Sequence, residues 1–164
     1  SNDANKNSHS ENIKKIAEKI GSDVKIADIG SGGGLPGIPL AAAFPQFNFV
    51  LVERMAKRCA FLENCAAILG LKNVTVWNKE AEKVPAESFD ISVFRAFRPL
   101  DEKMIKTLLS LTKTGGFLAA YKAKSENIKI EMDAINKIVP EYNVEKLFVP
   151  GLEDSERNLV IVKK

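Results

Sequence analysis

The chain has 164 residues, of which 45% are hydrophobic, so it is long enough for one domain with a sizeable core and too apolar for a disordered protein. It contains no apolar run near the ~18 residues that cross a membrane, and its N-terminus has no apolar signal core. A net charge of +3 permits nucleic-acid binding without requiring it, and two cysteines with one histidine offer no metal-binding set. We therefore expect a cytoplasmic protein without a metal or a membrane contact.

Hydrophobic periodicity predicts helices and strands that alternate along the chain. The first element is a short helix between Ser10, a candidate N-cap, and Gly21, a candidate stop. Strands are then predicted at 24–29, 47–52, 73–77, 89–94, 117–121, 144–149 and 158–162. Helical stripes lie between them at 40–44, 55–69, 100–111 and 128–139, and they end respectively at Pro45, Gly70, the pair Gly115-Gly116, and Pro140.

The order of these elements predicts an α/β protein of the Rossmann-like kind, with a mostly parallel seven-stranded sheet and helices on both faces. The last two strands follow one another without a helix between them, which indicates an antiparallel C-terminal hairpin. We expect a short tail and helix over residues 1–21, followed by a single domain over 22–164.

A glycine-rich turn, Asp28-Ile29-Gly30-Ser31-Gly32-Gly33-Gly34-Leu35-Pro36-Gly37, connects the first predicted strand to the next helix. Open α/β sheets bind ligands at such a turn, because glycines let the backbone bend sharply and approach a ligand closely. Gly32, Gly34 and Gly37 match the dinucleotide pattern G-x-G-x-x-G. The acidic-x-G-x-G-x-G pattern of S-adenosylmethionine methyltransferases is matched by Asp28, Gly30, Gly32 and Gly34. We favour this second pattern, because an aspartate repels a pyrophosphate but can orient the cationic amino group of S-adenosylmethionine.

Two further positions are candidate cofactor ligands. Glu53 ends the next predicted strand, where a carboxylate can accept both ribose hydroxyl protons, a role that S-adenosylmethionine and NAD would share. The loop 78–82 follows the third strand and lies beside the adenine in this kind of fold, where an acidic side chain can accept from the exocyclic amine. Spacing alone fits a solvated turn at 78–82 equally well.

The glycine turn continues as Ile38-Pro39-Leu40, and the whole segment resembles the DIGSGGGLPGIPL turn of the GidB/RsmG family. That family comprises bacterial small-subunit rRNA guanine-N7 methyltransferases. Three later segments resemble it in the same order, namely Lys57-Arg58 with Phe61-Leu62, Ala81-Glu82, and Arg95-Ala96-Phe97. Lys122 stands where the family has a lysine at the end of the fifth strand.

The resemblance implies a class I methyltransferase that transfers a methyl group from S-adenosylmethionine to N7 of a guanosine in 16S rRNA, either free or within the small ribosomal subunit. It also implies cofactor contacts at Gly30, Leu35, Ala81, Glu82 and Arg95. There are two departures from the family pattern. The chain has no clear copy of the N-terminal His-Ile-Leu-Asp-Ser stretch, and Glu53-Arg54 replaces the commoner Asp-Ser while keeping a carboxylate.

Methylation of guanine N7 needs no general base, because N7 has a free lone pair and no proton to lose. It needs in-line positioning, which can contribute roughly 7–11 kcal/mol. The sequence agrees, since it offers no plausible catalytic base, no Asn/Asp-Pro-Pro-aromatic loop after the fourth strand and no Pro-Cys motif. We therefore assign no catalytic residue, and we expect Arg95, at a strand end facing the cofactor crevice, to contact the cofactor or the target.

Basic residues near the predicted cleft are candidate RNA ligands, expected to form a rim that binds phosphates. They are Arg54, Lys57, Arg58, Arg98, Lys122 and Lys124. Phe97 is expected either to stack on a guanine or to pack under the next helix. The helix face that begins at Arg54 also fits a merely solvated surface. The expected partner is 16S rRNA or the small ribosomal subunit, and the expected oligomeric state is a monomer.

Three other interpretations remain open on the sequence. One is methylation of a small molecule or a protein instead of RNA, and another is binding of S-adenosylmethionine or a nucleotide without catalysis. The pattern of Gly32, Gly34 and Gly37 also allows an NAD-linked oxidoreductase, although no Tyr-x-x-x-Lys pair supplies a proton donor.

Overall fold

The computed structural model describes residues 18, 23–95, 100–122, 125–147 and 156–164. Within these ranges the chain forms seven strands, which are β1 Lys25–Ile29, β2 Asn48–Glu53, β3 Val74–Asn78, β4 Phe89–Arg95, β5 Thr112–Lys122, β6 Asn143–Leu147 and β7 Arg157–Lys163. The α-helices there are α1 Gly37–Ala43, α2 Ala56–Ile68, α3 Glu102–Leu111 and α4 Ser125–Ala134, and a short 3-10 helix covers Ala81–Lys83. Apart from Glu18, the predicted N-terminal helix lies outside the described residues, as do Phe97, Arg98 and Lys124.

All seven strands form one sheet in the order β3-β2-β1-β4-β5-β7-β6. The strands from β3 to β5 are parallel, while β7 is antiparallel to both β5 and β6. The predicted mostly parallel sheet and antiparallel C-terminal hairpin are therefore confirmed. Since β1 is flanked by β2 on one side and β4 on the other, the chain order reverses at β1, and a crevice opens at the carboxyl ends of these strands.

Alternate residues of the central strands enter two separate cores, as expected for a sheet covered on both faces. Ala27 of β1 belongs to the same buried cluster as Ile105 of α3 and Met132 of α4. The neighbouring Ile26 belongs to the other cluster, with Leu40 of α1. The two faces of the sheet are thus covered by different helices, and the crevice lies at their common edge.

Two predicted helix ends are wrong. Helix α3 ends at Leu111, and β5 begins at Thr112 and continues through Gly115 and Gly116, the pair expected to stop the helix. The buried Thr112 hydroxyl donates to the carbonyl oxygen of Leu108 at 2.7 Å, so the side chain closes the helix there. Helix α4 ends at Ala134, whereas the apolar stripe had predicted a helix to Val139.

No helix in the described ranges combines the length and the apolarity needed to cross a bilayer. Among the same residues, no three His, Cys, Asp or Glu side chains group closely enough to hold a metal ion.

Candidate functional site

A cleft of about 860 Å³ opens at the carboxyl ends of β1, β2 and β4. Gly30 of the glycine turn, Glu53 at the end of β2 and Arg95 at the end of β4 line it. The segment 79–82 and residues between 101 and 108, from the N-cap of α3 into its second half, form the remaining walls. The cleft therefore lies at the point of the sheet where the order of the strands reverses, which is where α/β folds of this kind bind their ligands.

The glycine turn folds back onto β2. The backbone N–H groups of Gly30 and Ser31 both donate to the carbonyl oxygen of Val52, at 2.9 and 3.1 Å. Gly30 has φ +69°, a conformation that L side chains rarely adopt, and no atom lies within 4 Å of the position a Cβ would take. A glycine at this position therefore leaves space open on the cleft side of the turn.

The carboxylate of Asp28 is buried beneath the turn, with 2% of the residue exposed. Its Oδ2 atom accepts from the Ser31 hydroxyl at 2.7 Å and from the Gly37 backbone N–H at 3.0 Å. Burial raises the pKa of Asp28 to about 6, although both hydrogen bonds and the charge of Arg95 act in the opposite direction. The other oxygen, Oδ1, is buried without a hydrogen-bond partner among the described residues. Asp28 thus holds the turn in shape through one oxygen and retains a second acceptor oxygen that no described residue uses.

The carboxylate of Glu53 connects the turn to the end of β2. Its Oε2 atom accepts from the Gly32 backbone N–H at 2.8 Å, and its Oε1 atom accepts from the Met55 N–H at 3.1 Å. The residue is 3% exposed, and its side chain lines the cleft. Because each carboxylate oxygen can accept two hydrogen bonds, both retain capacity for a vicinal diol.

The structure brings together most of the residues proposed to bind a cofactor. Gly30, Glu53, Ala81, Glu82 and Arg95 all line the same cleft. The others lie elsewhere in the turn. Asp28, Gly32 and Gly34 hold its backbone, and Leu35 is 49% exposed and does not line the cleft.

Sequence reasoning missed the wall formed by α3. Asp101, Lys103, Met104 and Thr107 line the cleft opposite the glycine turn. Asp101 caps the helix by accepting from the Met104 N–H at 2.7 Å. The signal available was the helical stripe that contains Met104 and Leu108, which predicts a helix but not which of its residues face a cleft. Leu108 is indeed buried, but Met104 is 39% exposed and faces the cleft.

Three of the predicted RNA-binding residues lie at the mouth of the cleft or beside it. Arg54 and Arg58 line the cleft, and the exposed Lys57 lies between them in the sequence. Among the described residues, none of the three forms an ion pair.

The prediction that Lys122 contributes to an exposed basic rim is wrong. Lys122 ends β5, and only 7% of its side chain is exposed. Its ammonium group forms an ion pair with the carboxylate of Glu131 on α4. A buried charge needs a close opposite charge, and this pairing accounts for the lysine at the end of the strand.

The strand order and the position of the cleft define a Rossmann-like fold of the class I methyltransferase type. An S-adenosylmethionine-dependent methyltransferase of Aquifex aeolicus has the same fold, with a TM-score of 0.63 at 17% identity over 94% of this chain and 89% of that one.

The chain belongs to the rRNA small subunit methyltransferase G (GidB) family, whose model matches residues 7–160. It is 47% identical to the ribosomal RNA small subunit methyltransferase G of Treponema denticola, over 85% of this chain and 56% of that protein. The Treponema pallidum protein of the same name is 39% identical, over 84% of this chain and 62% of that protein. The chain therefore spans about three fifths of the length of these curated relatives.

Proposed function

We propose that this chain transfers a methyl group from S-adenosylmethionine to N7 of a guanosine in 16S rRNA. The observation that carries the proposal is the pair of hydrogen bonds that the Glu53 carboxylate accepts from the N–H groups of Gly32 and Met55, here called the clasp. The clasp holds the glycine turn beside a cleft at the point where the strand order of the sheet reverses. Membership of the GidB family supports rRNA as the substrate. We further propose that the enzyme acts in the cytoplasm, as a ribosomal substrate would require. We propose a monomer, with residues 22–164 as the methyltransferase domain.

The described residues fit the polar groups of S-adenosylmethionine. Glu53 is proposed to accept from the ribose hydroxyls, and Glu82 is proposed to accept from the exocyclic amine of the adenine beside Ala81. The unpartnered Oδ1 of Asp28 suits the cationic amino group. At Gly30, the open space on the cleft side suits a ligand in contact with the backbone. Gly32 and Gly34 keep the turn in shape, and the exposed Leu35 is retained as a proposed cofactor contact from the sequence.

The chemistry required of the protein is positioning. When bound, S-adenosylmethionine supplies a methyl group already activated by its sulfonium. Because guanine N7 carries a lone pair and no proton, the residues of the cleft need to hold no proton and form no covalent bond. Arg95, at the end of β4, is proposed to contact the cofactor or the target base, and alignment of this kind contributes roughly 7–11 kcal/mol.

RNA docking is assigned to the basic residues around the mouth of the cleft. Arg54, Lys57 and Arg58 are proposed to bind phosphates, since all three are exposed. Phe97, Arg98 and Lys124, which lie outside the described residues, are retained as proposed RNA contacts from the sequence.

The test is methylation of small-subunit RNA and of intact small subunits with S-adenosylmethionine, followed by borohydride reduction and aniline cleavage. Cleavage at one new guanosine is expected, because N7-methylguanosine is labile to this treatment. The absence of a new cleavage site on both substrates would contradict the proposal. Tight binding of S-adenosylhomocysteine without such cleavage would instead indicate a cofactor-binding module or an enzyme with a different substrate.

A further inference from the structure

The outer face of α2 carries an exposed aromatic ring next to two cations. Phe61 is 52% exposed, although most large apolar side chains of the described chain are buried. Lys57 and Arg58 precede it by four and three residues, which places both beside the ring on the same helix surface. Both cations are exposed. The ring is therefore exposed to solvent, with two cationic residues on the preceding turn of the helix.

Some exposed lysines of the described chain are paired within the fold, whereas Arg54, Lys57 and Arg58 are not. Lys83, Lys106 and Lys129 each pair with a carboxylate three or four residues away. Arg54, Lys57 and Arg58 have no carboxylate within ion-pair distance among the described residues. Their charge is not neutralised within the fold and is available to an external anion.

This face is continuous with the cleft. Helix α2 begins directly after β2, at the edge of the sheet where the cleft opens, and both Arg54 and Arg58 line the cleft. Phe61 follows one helical turn further from the cleft mouth. A polyanionic chain that enters the cleft can therefore continue along the first half of α2.

We propose that Phe61, with Lys57 and Arg58, forms a stacking platform for an unpaired base of the substrate RNA, on the segment next to the target nucleotide. An aromatic ring flanked by cations binds single-stranded nucleic acid, because a base stacks on the ring while the cations contact the flanking phosphates. The three unpaired cations favour RNA over an apolar protein partner. The inference rests on the proposed function for the identity of the RNA and adds a place where the RNA is held.

A fluorescence titration tests the stacking directly. Trp77 is the single tryptophan of the chain, so Phe61→Trp in a Trp77→Phe background places the only indole on the platform. Single-stranded polyadenylate is expected to quench this indole, and added salt is expected to weaken the binding. The matched control is Ile68→Trp in the same background, because Ile68 lies on the same face of α2, is 76% exposed, and is about three turns away from the cations. Equal quenching at both positions, quenching by duplex RNA alone, or no quenching at Phe61→Trp would overturn the proposal.

Methylation kinetics separate this inference from the proposed function. Phe61→Ala is expected to raise the KM for RNA by about fivefold or more, while the affinity for S-adenosylhomocysteine stays unchanged. Phe61→Trp should restore the wild-type KM, and Ile68→Ala should not alter it. If the wild type methylates rRNA and Phe61→Ala has an unchanged KM, the stacking platform is contradicted and the proposed function stands. If the wild type methylates no RNA, the proposed function fails, and the fluorescence titration still decides whether Phe61 binds single strands.

Discussion

The carboxylate of Glu53 accepts a hydrogen bond from the backbone N–H of Gly32, 21 residues earlier in the chain, with an Oε2–N distance of 2.8 Å. The second oxygen of the same carboxylate accepts from the N–H of Met55, at the start of α2. One side chain therefore holds together the glycine turn after β1 and the helix after β2. Because this clasp is formed within the protein, the acceptor groups of the cleft are placed before any cofactor binds.

Replacement of Glu53 by glutamine should loosen this clasp. The amide has one acceptor oxygen, so its NH₂ group would face either the Gly32 or the Met55 N–H, and that partly buried donor would lose its partner. We expect a loss of roughly 1–3 kcal/mol in the free energy of unfolding, with weaker binding of S-adenosylhomocysteine. Urea denaturation and calorimetric titration measure the two effects. Glu63→Gln, at an exposed position of α2, is the control, and equal behaviour of the two variants would contradict the clasp.

Substitution of Gly30 by alanine separates backbone strain from loss of ligand space. Gly30 and Gly70 have similar positive φ angles, 69° and 65°, and neither has an atom within 4 Å of the position a Cβ would take. Alanine at either position should therefore cost a similar free energy of unfolding, about 1–2 kcal/mol. Only Gly30 lines the cleft, so only Gly30→Ala should weaken binding of S-adenosylhomocysteine. If both variants bound it like the wild type, the glycine turn would not be the cofactor site.

The raised pKa of Asp28, about 6, predicts a specific pH dependence of stability. Between the unfolded value of 3.8 and the folded value, the unfolded state loses its proton first, so the free energy of unfolding falls as the pH rises. Asp28→Asn removes this effect. The stability of the variant relative to the wild type should therefore increase by roughly 2–3 kcal/mol from about pH 4 to pH 7. Urea denaturation across this range measures it, and two parallel pH profiles would show that the Asp28 carboxyl is not perturbed.

The ion pair between Lys122 and Glu131 predicts a role in stability. Both side chains are mostly buried, so Lys122→Met alone should leave an unpaired buried carboxylate and cost roughly 3–5 kcal/mol. A second change, Glu131→Leu, should recover much of that loss. Lys129→Ala is the control, because its pair with Asp133 on the same helix is exposed and contributes at most about 0.5 kcal/mol. Chemical denaturation measures all three variants. A folded Lys122→Met protein of normal stability, with a reduced salt dependence of RNA binding, would instead restore the RNA-binding interpretation.

The strands and the cofactor turn could be predicted from the sequence because their signals are local. The run 49–52 is apolar throughout, as is typical of a strand buried on both faces, and a turn with as many glycines as that from Asp28 to Gly37 is typical of a ligand-binding turn. The cleft wall formed by Met104 could not be predicted, since an apolar residue in a helical stripe looks the same whether it faces the core or a cleft. Lys122 was misplaced for a similar reason, because its partner Glu131 is nearby only after α4 has packed on the sheet.

The position of the pair Gly115-Gly116 could not be predicted from the sequence either, and the position found allows a test of the fold. Both glycines were interpreted as a helix stop, but they lie inside β5, and a Cβ on Gly116 would overlap the carbonyl oxygen of Asp90 on β4 and lie 2.8 Å from that of Lys113. These are backbone atoms, which cannot move aside without breaking the pairing of β4 with β5. Gly115 has φ +85° and open space around it, so Gly115→Ala should cost only the strain of about 1–2 kcal/mol. Gly116→Ala should cost more, by roughly 1–3 kcal/mol of overpacking. Urea denaturation of the two variants measures the difference, and equal stabilities would mean that β5 does not approach β4 at this glycine.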